Sequence, residues 1–243
     1  MPIFLFTDFG ASDIYAGQVR SVLHRCAPGV PVIDLLHEVP AFNIQAGAHL
    51  LAALVNHLPL ESVILAVVDP GVGGTRLPIM VRAGDRWFVG PDNGLMSVVA
   101  ARAHDARIFP IDWTPGALSA SFHGRDLFAP VAGRIASGNP GAGQLREKPW
   151  LDIQLGADDL AEVIYIDHYG NAFTGLRAGT VPRDAHVTVD GYSIGRARVF
   201  SEVRNGDVFW YENSLGLIEI AANTASAAAK LNLKVGQPVG IAD

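Results

Sequence analysis

Val67-Val68-Asp69-Pro70-Gly71-Val72-Gly73-Gly74-Thr75-Arg76 is the stretch from which the fold is read. An apolar strand runs into a carboxylate, then a glycine-rich turn, then a guanidinium. Val63 to Val68 carry no polar side chain and are rich in β-branched types, the pattern of a strand buried on both faces. Asp69 then stands at the carboxyl end of that strand, where open α/β sheets form their ligand crevices. Pro70 and the glycines that follow make a tight turn whose backbone can approach a ligand closely. Arg76 follows at a spacing that lets the turn bring it back toward Asp69. The same residues also suit a purely structural strand and loop, with Asp69 capping its own turn.

Upstream, Ile3 to Thr7 reads as a first strand ending in Thr7-Asp8-Phe9-Gly10, so Asp8 occupies the same kind of strand-end position as Asp69. A helix from about Asp13 to Arg25 closes at Pro28-Gly29. Val32 to Leu36 is a second strand, and Asn43 is the N-cap of a helix reaching about Leu58. Downstream, Pro78 to Val81 and Arg86 to Val89 pair as a hairpin around Gly84-Asp85. Gly90-Pro91-Asp92-Asn93-Gly94 opens a helix through about Arg102, Ala106 to Ile111 is another strand, and Ser121 to Asp126 leads into a helix ending near Ser137. This alternation predicts an α/β domain over residues 1–145, with a mainly parallel sheet flanked by helices. After a linker-like cluster at 138–143, short alternating runs such as Val163 to Asp167, His186 to Val189, Val208 to Tyr211 and Leu217 to Ile220 predict a small all-β barrel over residues 150–243. A short helix from Ser226 to Leu231 and a strand from Pro238 to Ile241 complete it.

Bulk properties narrow the function. With 49% apolar and 17% charged residues in 243, the chain builds a large core. A net charge of −6 argues against a nucleic-acid partner, which needs clustered Lys and Arg. No stretch reaches the ~18 apolar residues of a membrane span. The single cysteine, Cys26, excludes an internal disulfide, suits a reducing cytoplasm, and reads as an inert core thiol on its helix. No Cys/His cluster has zinc spacing, so no metal is expected. Phosphate-loop, zincin and serine-hydrolase patterns are all missing. What remains is a set of polar residues at strand ends and turns: Asp8, Asp13, Asp69, Arg76, Asp92, Asn93, His123, Arg125 and Asp126. Asp69, Arg76 and His123 together could polarise one water molecule, with the carboxylate orienting the imidazole and the guanidinium stabilising charge that develops on oxygen. In the β half, Asp167 to Asn171 and Asn213 to Gly216 are polar turns able to hydrogen-bond a base or ribose, or simply to turn the chain.

Taken together, these motifs resemble the S-adenosyl-L-methionine hydroxide adenosyltransferases, relatives of the fluorinating and chlorinating enzymes that use the same substrate. The resemblance spans nearly the whole chain. It is carried by Thr7-Asp8-Phe9-Gly10 with Asp13, Asp69 to Gly73 with Arg76, Gly90 to Gly94, Phe122 to Asp126, Asp167 with Gly170-Asn171, and Asn213-Ser214 with Gly216, Glu219 and Asn223. It implies an α/β domain and a β-barrel domain, a homotrimer with active sites between subunits, and S-adenosyl-L-methionine as substrate without a cofactor. It assigns water activation to Asp69, Arg76 and His123, the ribose hydroxyls to Asp8, and the methionine amino group to Asp13. Asp167, Tyr169, Asn171, Ser214 and Asn223 fall on the second domain's substrate-binding turns. Tyr169 replaces the aromatic usual there. Leu215 stands where some halogenating members have an arginine, and the acid and histidine favour water over halide. The implied reaction is hydrolysis to adenosine and L-methionine by attack at C5′. The rivals are a halogenase on the same scaffold and a non-catalytic sensor that binds the nucleoside without turnover. The sulfonium leaves readily, so the work lies in aligning a nucleophile in a dry pocket, where attack on a cation annihilates charge. Phe9, Phe42, Phe122 and Tyr169 are candidate rings for such a pocket.

Overall fold

A computed structural model describes residues 1–140 and 145–242, so residues 141–143 of the expected linker lie outside the described residues. The chain divides into two compact units, residues 1–51 with 58–157, and residues 52–57 with 158–243.

In the first unit, β1 (Ile3–Thr7), β2 (Val32–Leu36) and β3 (Val63–Val67) are joined by α1 (Ile14–Cys26) and α2 (Ile44–Leu54). After β3 come β4 (Pro78–Ala83), β5 (Arg86–Pro91), α3 (Ser97–Arg102), β6 (Arg107–Pro110) and α4 (Ala129–Ala136). The six strands form one sheet in the order β2-β1-β3-β5-β4-β6. Neighbours are parallel from β2 through β5, while β4 runs antiparallel to both β5 and β6, so the sheet is mixed. Every residue of β1 and β3 is buried, as their apolar runs require. Ile3, Leu5, Val63, Leu65 and Val67 share one core with Val19, Val22 and Leu23 of α1 and Val131, Ala132 and Ile135 of α4. Phe4, Phe6, Ile64 and Ala66 alternate to the opposite face. On that side Gly47 of α2 lies so close to Val39, Val68 and Leu95 that an added Cβ would touch Leu95 at 3.0 Å. Fully burying a side chain such as Phe6 contributes about 1.5–3 kcal/mol.

The helix ends follow their caps. Asp13 accepts the Ile14 amide (2.6 Å) and starts α1, and Asn43 accepts the Ala46 amide (2.9 Å) and starts α2. Three expectations need correction. Cys26 is exposed, because it is the last residue of α1 and faces outward there. The helix expected through Leu58 tightens at Leu54 into a 3₁₀ turn over Val55–His57. The helix after Gly94 starts only at Ser97. The helix expected to end near Ser137 is present, and it opens with a widened π turn over Gly124–Phe128.

The second unit contains β7 (Leu160–Ile166), β8 (Ala172–Arg177), β9 (His186–Val189), β10 (Tyr192–Ile194), β11 (Val208–Glu212), β12 (Leu217–Ala222), α5 (Ala227–Leu231) and β13 (Gly240–Ala242). They make two antiparallel sheets, β11-β12-β8-β7 and β10-β9-β13. Single bridges also pair Glu162 with Pro238 and Arg196 with Trp210. Trp210, Ile218, Ile220, Val187 and Val189 form the core, and the buried indole N–H of Trp210 donates to the Ala185 carbonyl (3.0 Å). The opposite face of β11 and β12 carries Phe209, Tyr211, Glu219 and Ala221. That alternation is what places a buried polar side chain, Glu219, on an otherwise apolar strand. Among the described residues, no helix is long and apolar enough to cross a membrane.

Candidate active site

β1 and β3 lie side by side with Thr7 opposite Val67, so Asp8 and Asp69 leave the sheet next to each other. The Asp8 amide donates to the Val67 carbonyl (3.3 Å). The turn after Asp69 is held by Val72 N–H to Asp69 O (3.2 Å) and Gly74 N–H to Gly71 O (3.0 Å). Gly73 sits at φ +79°, and a Cβ there would meet the Ala120 carbonyl at 2.4 Å. The turn delivers Arg76 back onto Asp69. Its Nε donates to Oδ1 (3.0 Å) and Oδ2 (3.1 Å), and its Nη2 donates to Oδ2 (2.5 Å). The same Nη2 lies 2.8 Å from Nδ1 of His123, which is 47 residues further along the chain. A guanidinium has no lone pair to accept with, so Nδ1 must accept and the neutral ring carries its proton on Nε2. Burial, and then the Arg76 charge, hold His123 below its ordinary pKa, against the opposing pull of Asp69 and Asp126. The Asp69 side chain is only 5% exposed and that of Arg76 11%, with the guanidinium 5.6 Å above the Phe128 ring.

Asp69 and His123 line a cavity of about 90 Å³ together with Asp8, Phe9, Phe42 and Phe122 among others. Burial raises the Asp8 pKa, with backbone hydrogen bonds from Phe42 and from its own N–H opposing and the Asp69 charge adding. Phe42 is 77% exposed and takes φ +64°, a conformation unusual for an aromatic residue. Phe122 packs edge to face with Phe9 (5.7 Å) and Tyr15 (5.3 Å), and Phe9 and Tyr15 are tilted against each other at 6.1 Å. Arg125 and Asp126 pair with each other (2.6 Å), and the Ser119 amide donates to Asp126 (2.9 Å), which anchors the π turn beside His123.

The second unit has a larger cleft of about 820 Å³, lined by Asp167, Tyr169, Asn171, Phe173, Phe200, Tyr211, Asn213, Ser214 and Glu219 with Ala222 and Thr224 to Ser226. Two hairpin turns build its polar edge. Asp167 accepts the amides of Tyr169 (2.9 Å) and Asn171 (2.8 Å) and the Asn171 side chain (3.0 Å). Asn213 accepts the amides of Leu215 (2.9 Å) and Leu217 (3.0 Å) through Oδ1 and donates to Glu219 (3.0 Å) through Nδ2. Tyr211 is the cross-strand partner of Glu219, and its hydroxyl donates to the other carboxylate oxygen (2.7 Å). Burial raises the pKa of both Glu219 and Tyr211.

The order of these parts along the chain matches a known pattern. Residues 3–144 match the SAM hydroxide adenosyltransferase N-terminal domain, and residues 161–240 match the C-terminal domain of the same name. The chain belongs to the SAM hydroxide adenosyltransferase family. Among its relatives, a Thermus thermophilus protein named (R)-S-adenosyl-L-methionine hydrolase is 38% identical over 98% of both chains. A fluorinase of Actinopolyspora mzabensis is more distant, 24% identical over 99% of this chain and 97% of that one. Among solved structures, a conserved protein from Thermotoga maritima superposes with a TM-score of 0.90 at 31% identity, covering 99% of this chain and 100% of the other.

Of the residues singled out in this family member, Asp69 and His123 each contact Arg76, so the guanidinium, and not the carboxylate as expected, holds the imidazole, and Asp8 lines the same cavity as Asp69 and His123. Asp167, Tyr169, Asn171 and Ser214 line the cleft of the second unit. Asp13 uses one oxygen to cap α1. The Asn223 amide is turned to the Val203 carbonyl (2.8 Å), and Asn223 is not among the cleft-lining residues. Glu219, Tyr211 and Phe173 carry no assigned role in the sequence pattern, yet all three line the cleft. Their signal was a charged residue in the middle of an apolar run, Leu217-Ile218-Glu219-Ile220, at a position whose strand partner is Tyr211.

Proposed function

We propose that this chain hydrolyses S-adenosyl-L-methionine to adenosine and L-methionine. What carries the reading is that one guanidinium grips both Asp69 and Nδ1 of His123, two residues that line a cavity of about 90 Å³. With Nδ1 occupied, His123 presents Nε2–H and orients the water instead of taking its proton. Asp69 Oδ1, which accepts a single hydrogen bond from Arg76 Nε, keeps lone-pair capacity for that proton. A carboxylate suffices as base because the water becomes strongly acidic only as its oxygen bonds to C5′. The oxygen–C5′ bond forms as the C5′–sulfur bond breaks, the electron pair goes to sulfur as neutral thioether, and the proton passes through Asp69 to solvent. The leaving group is already a sulfonium, so the step calls for no cofactor.

Asp8 holds the ribose hydroxyls, and Asp13, with one carboxylate oxygen beyond its cap, takes the methionine ammonium. Asp167, Tyr169, Asn171 and Ser214 supply contacts from the second unit, and Asn223 offers its Oδ1. That unit is read as a small barrel, supported by the bridges at Glu162 and Arg196 that link its two sheets in turn. The protein works as a cytoplasmic homotrimer in this reading, supported by its lone cysteine and by exposed Ile14, Leu60 and Trp150; sedimentation equilibrium tests the trimer. Incubation with substrate in ¹⁸O water tests the reaction. Label is expected in the adenosine 5′-hydroxyl, whereas unlabelled product, or 5′-chloro-5′-deoxyadenosine when chloride is added, overturns the assignment.

A further inference from the structure

The loop that carries Asp69 and Arg76 leaves the sheet where the strand ladder has ended. β3 pairs with β5 only through Leu65 opposite Val89. Past that point a Cβ on Gly90 would lie 2.1 Å from the Ala66 carbonyl, so the two strands still run close together with no side chain between them. Val68 is fully buried, and its carbonyl needs a partner there. Asn93 supplies one: its Nδ2 donates to Val68 O (2.9 Å), while its Oδ1 accepts the Leu95 amide (3.2 Å). One residue earlier, the Asp92 amide donates to Leu77 O (2.8 Å). Val68 directly precedes Asp69 and Leu77 directly follows Arg76. The pair Asp92-Asn93 therefore grips both stems of the loop. The grip is itself anchored, because the buried Asp92 carboxylate accepts from Lys148 Nζ (2.5 Å) and from the Asp152 amide (3.1 Å). Hydrogen bonds from Lys148 to Asp152 and Asp92 outweigh burial and raise the lysine's pKa, so the anchor is a charged one.

The geometry points to Asn93 as a positioning residue for the reaction: its side-chain amide takes the place of the missing strand rung and sets where Asp69 and Arg76 meet His123. Asn93 touches neither carboxylate nor imidazole and acts through the Val68 carbonyl. This inference rests on the hydrolase reading for its kinetic test, and a second measurement stands without that reading.

Asn93→Ser shortens the donor out of reach without adding charge. Asn93→Asp keeps the shape and the Leu95 contact but cannot donate. In both, kcat for S-adenosyl-L-methionine hydrolysis is expected to fall by about tenfold or more while the Kd for adenosine stays within about threefold. The far-ultraviolet circular dichroism of the folded protein should stay unchanged. Independently of turnover, the proton NMR titration of His123 should move upward in Asn93→Ser, because a displaced guanidinium no longer occupies Nδ1. A folded variant with parental kcat and an unmoved His123 titration overturns the proposal. Parallel losses of kcat and adenosine affinity also overturn it, as does a failure of both variants to fold, since Asn93 would then support the fold and not the loop. An inactive parent protein would count against the hydrolase reading alone, and the His123 titration would still decide the positioning role.

Discussion

Arg76→Lys is the substitution that most directly tests the joined geometry. Arg76 spans two partners because its fork places Nε on Asp69 Oδ1 and Nη2 between Asp69 Oδ2 and His123 Nδ1, at 3.0, 2.5 and 2.8 Å. A lysine ammonium is a point donor on a flexible stem and cannot reproduce that fork. It keeps the positive charge, so long-range electrostatics stay close to the parent. At least one charge-assisted hydrogen bond is lost from a pair whose side chains are only 11% and 5% exposed, so water does little to compensate. Such a bond is worth about 1.5–3 kcal/mol, which at ~1.4 kcal/mol per decade corresponds to a roughly 10- to 150-fold fall in kcat. KM should change by less than about threefold, because Arg76 contacts the activating groups and not the body of the substrate. The assay is steady-state adenosine release followed by chromatography, with the fold checked by thermal melting. A folded Arg76→Lys protein with kcat within twofold of the parent would refute the claim that one side chain must hold Asp69 and His123 together.

The remaining predictions follow from the same contacts. Because the folded His123 pKa lies below the ordinary 6.5, the unfolded chain binds more protons just below neutrality. The stability from this site is then complete above about pH 6.5 and is lost as pH falls through the lowered value. Urea midpoints between pH 5 and 7.5 should show this slope in the parent and a flatter one in His123→Asn. Gly73→Ala should displace the loop, since its Cβ would lie 2.4 Å from the Ala120 carbonyl at φ +79°; kcat is expected to fall by about tenfold or more, and parental kinetics would contradict the close approach. Tyr211→Phe leaves Glu219 Oε1 without the hydroxyl at 2.7 Å, at a cost of about 1–3 kcal/mol in urea unfolding. Adenosine binding by calorimetry should weaken as well, and unchanged stability would mean that water replaces the hydroxyl freely.

What the sequence made legible was local. The apolar run before Asp69 specifies a buried strand whichever helices cover it, and a buried strand must release its first polar residue at its end. The strand-end positions of Asp8 and Asp69 are therefore legible from pattern alone, and so are the cap at Asn43 and the start of a helix near Asp13. Contact between Arg76 and His123 was not readable from spacing, because the register of β1 on β3 and the packing of α4 on the sheet bring together residues 47 apart. Residue type and strand-end position offer that grouping only as one possibility, and the resemblance to a family is what singles it out. Cys26 was misjudged because helical periodicity does not tell where a helix ends. The Tyr211–Glu219–Asn213 cluster depends on which residues face each other across a hairpin, a property of register that a single strand does not carry.

Phe42 adds a consequence of its own. A left-handed backbone costs a residue with a side chain about 1–2 kcal/mol, and glycine at this site would escape that cost. Its amide already serves Asp8, a service glycine would perform equally well. What glycine would lack is the benzyl group, three-quarters of it bare to solvent beside the carboxylates. A ring left bare at a strained position gains about as much from being covered as any apolar surface of its size, and in the proposed hydrolase the flat purine or the sulfonium of a guest nucleoside is what would cover it.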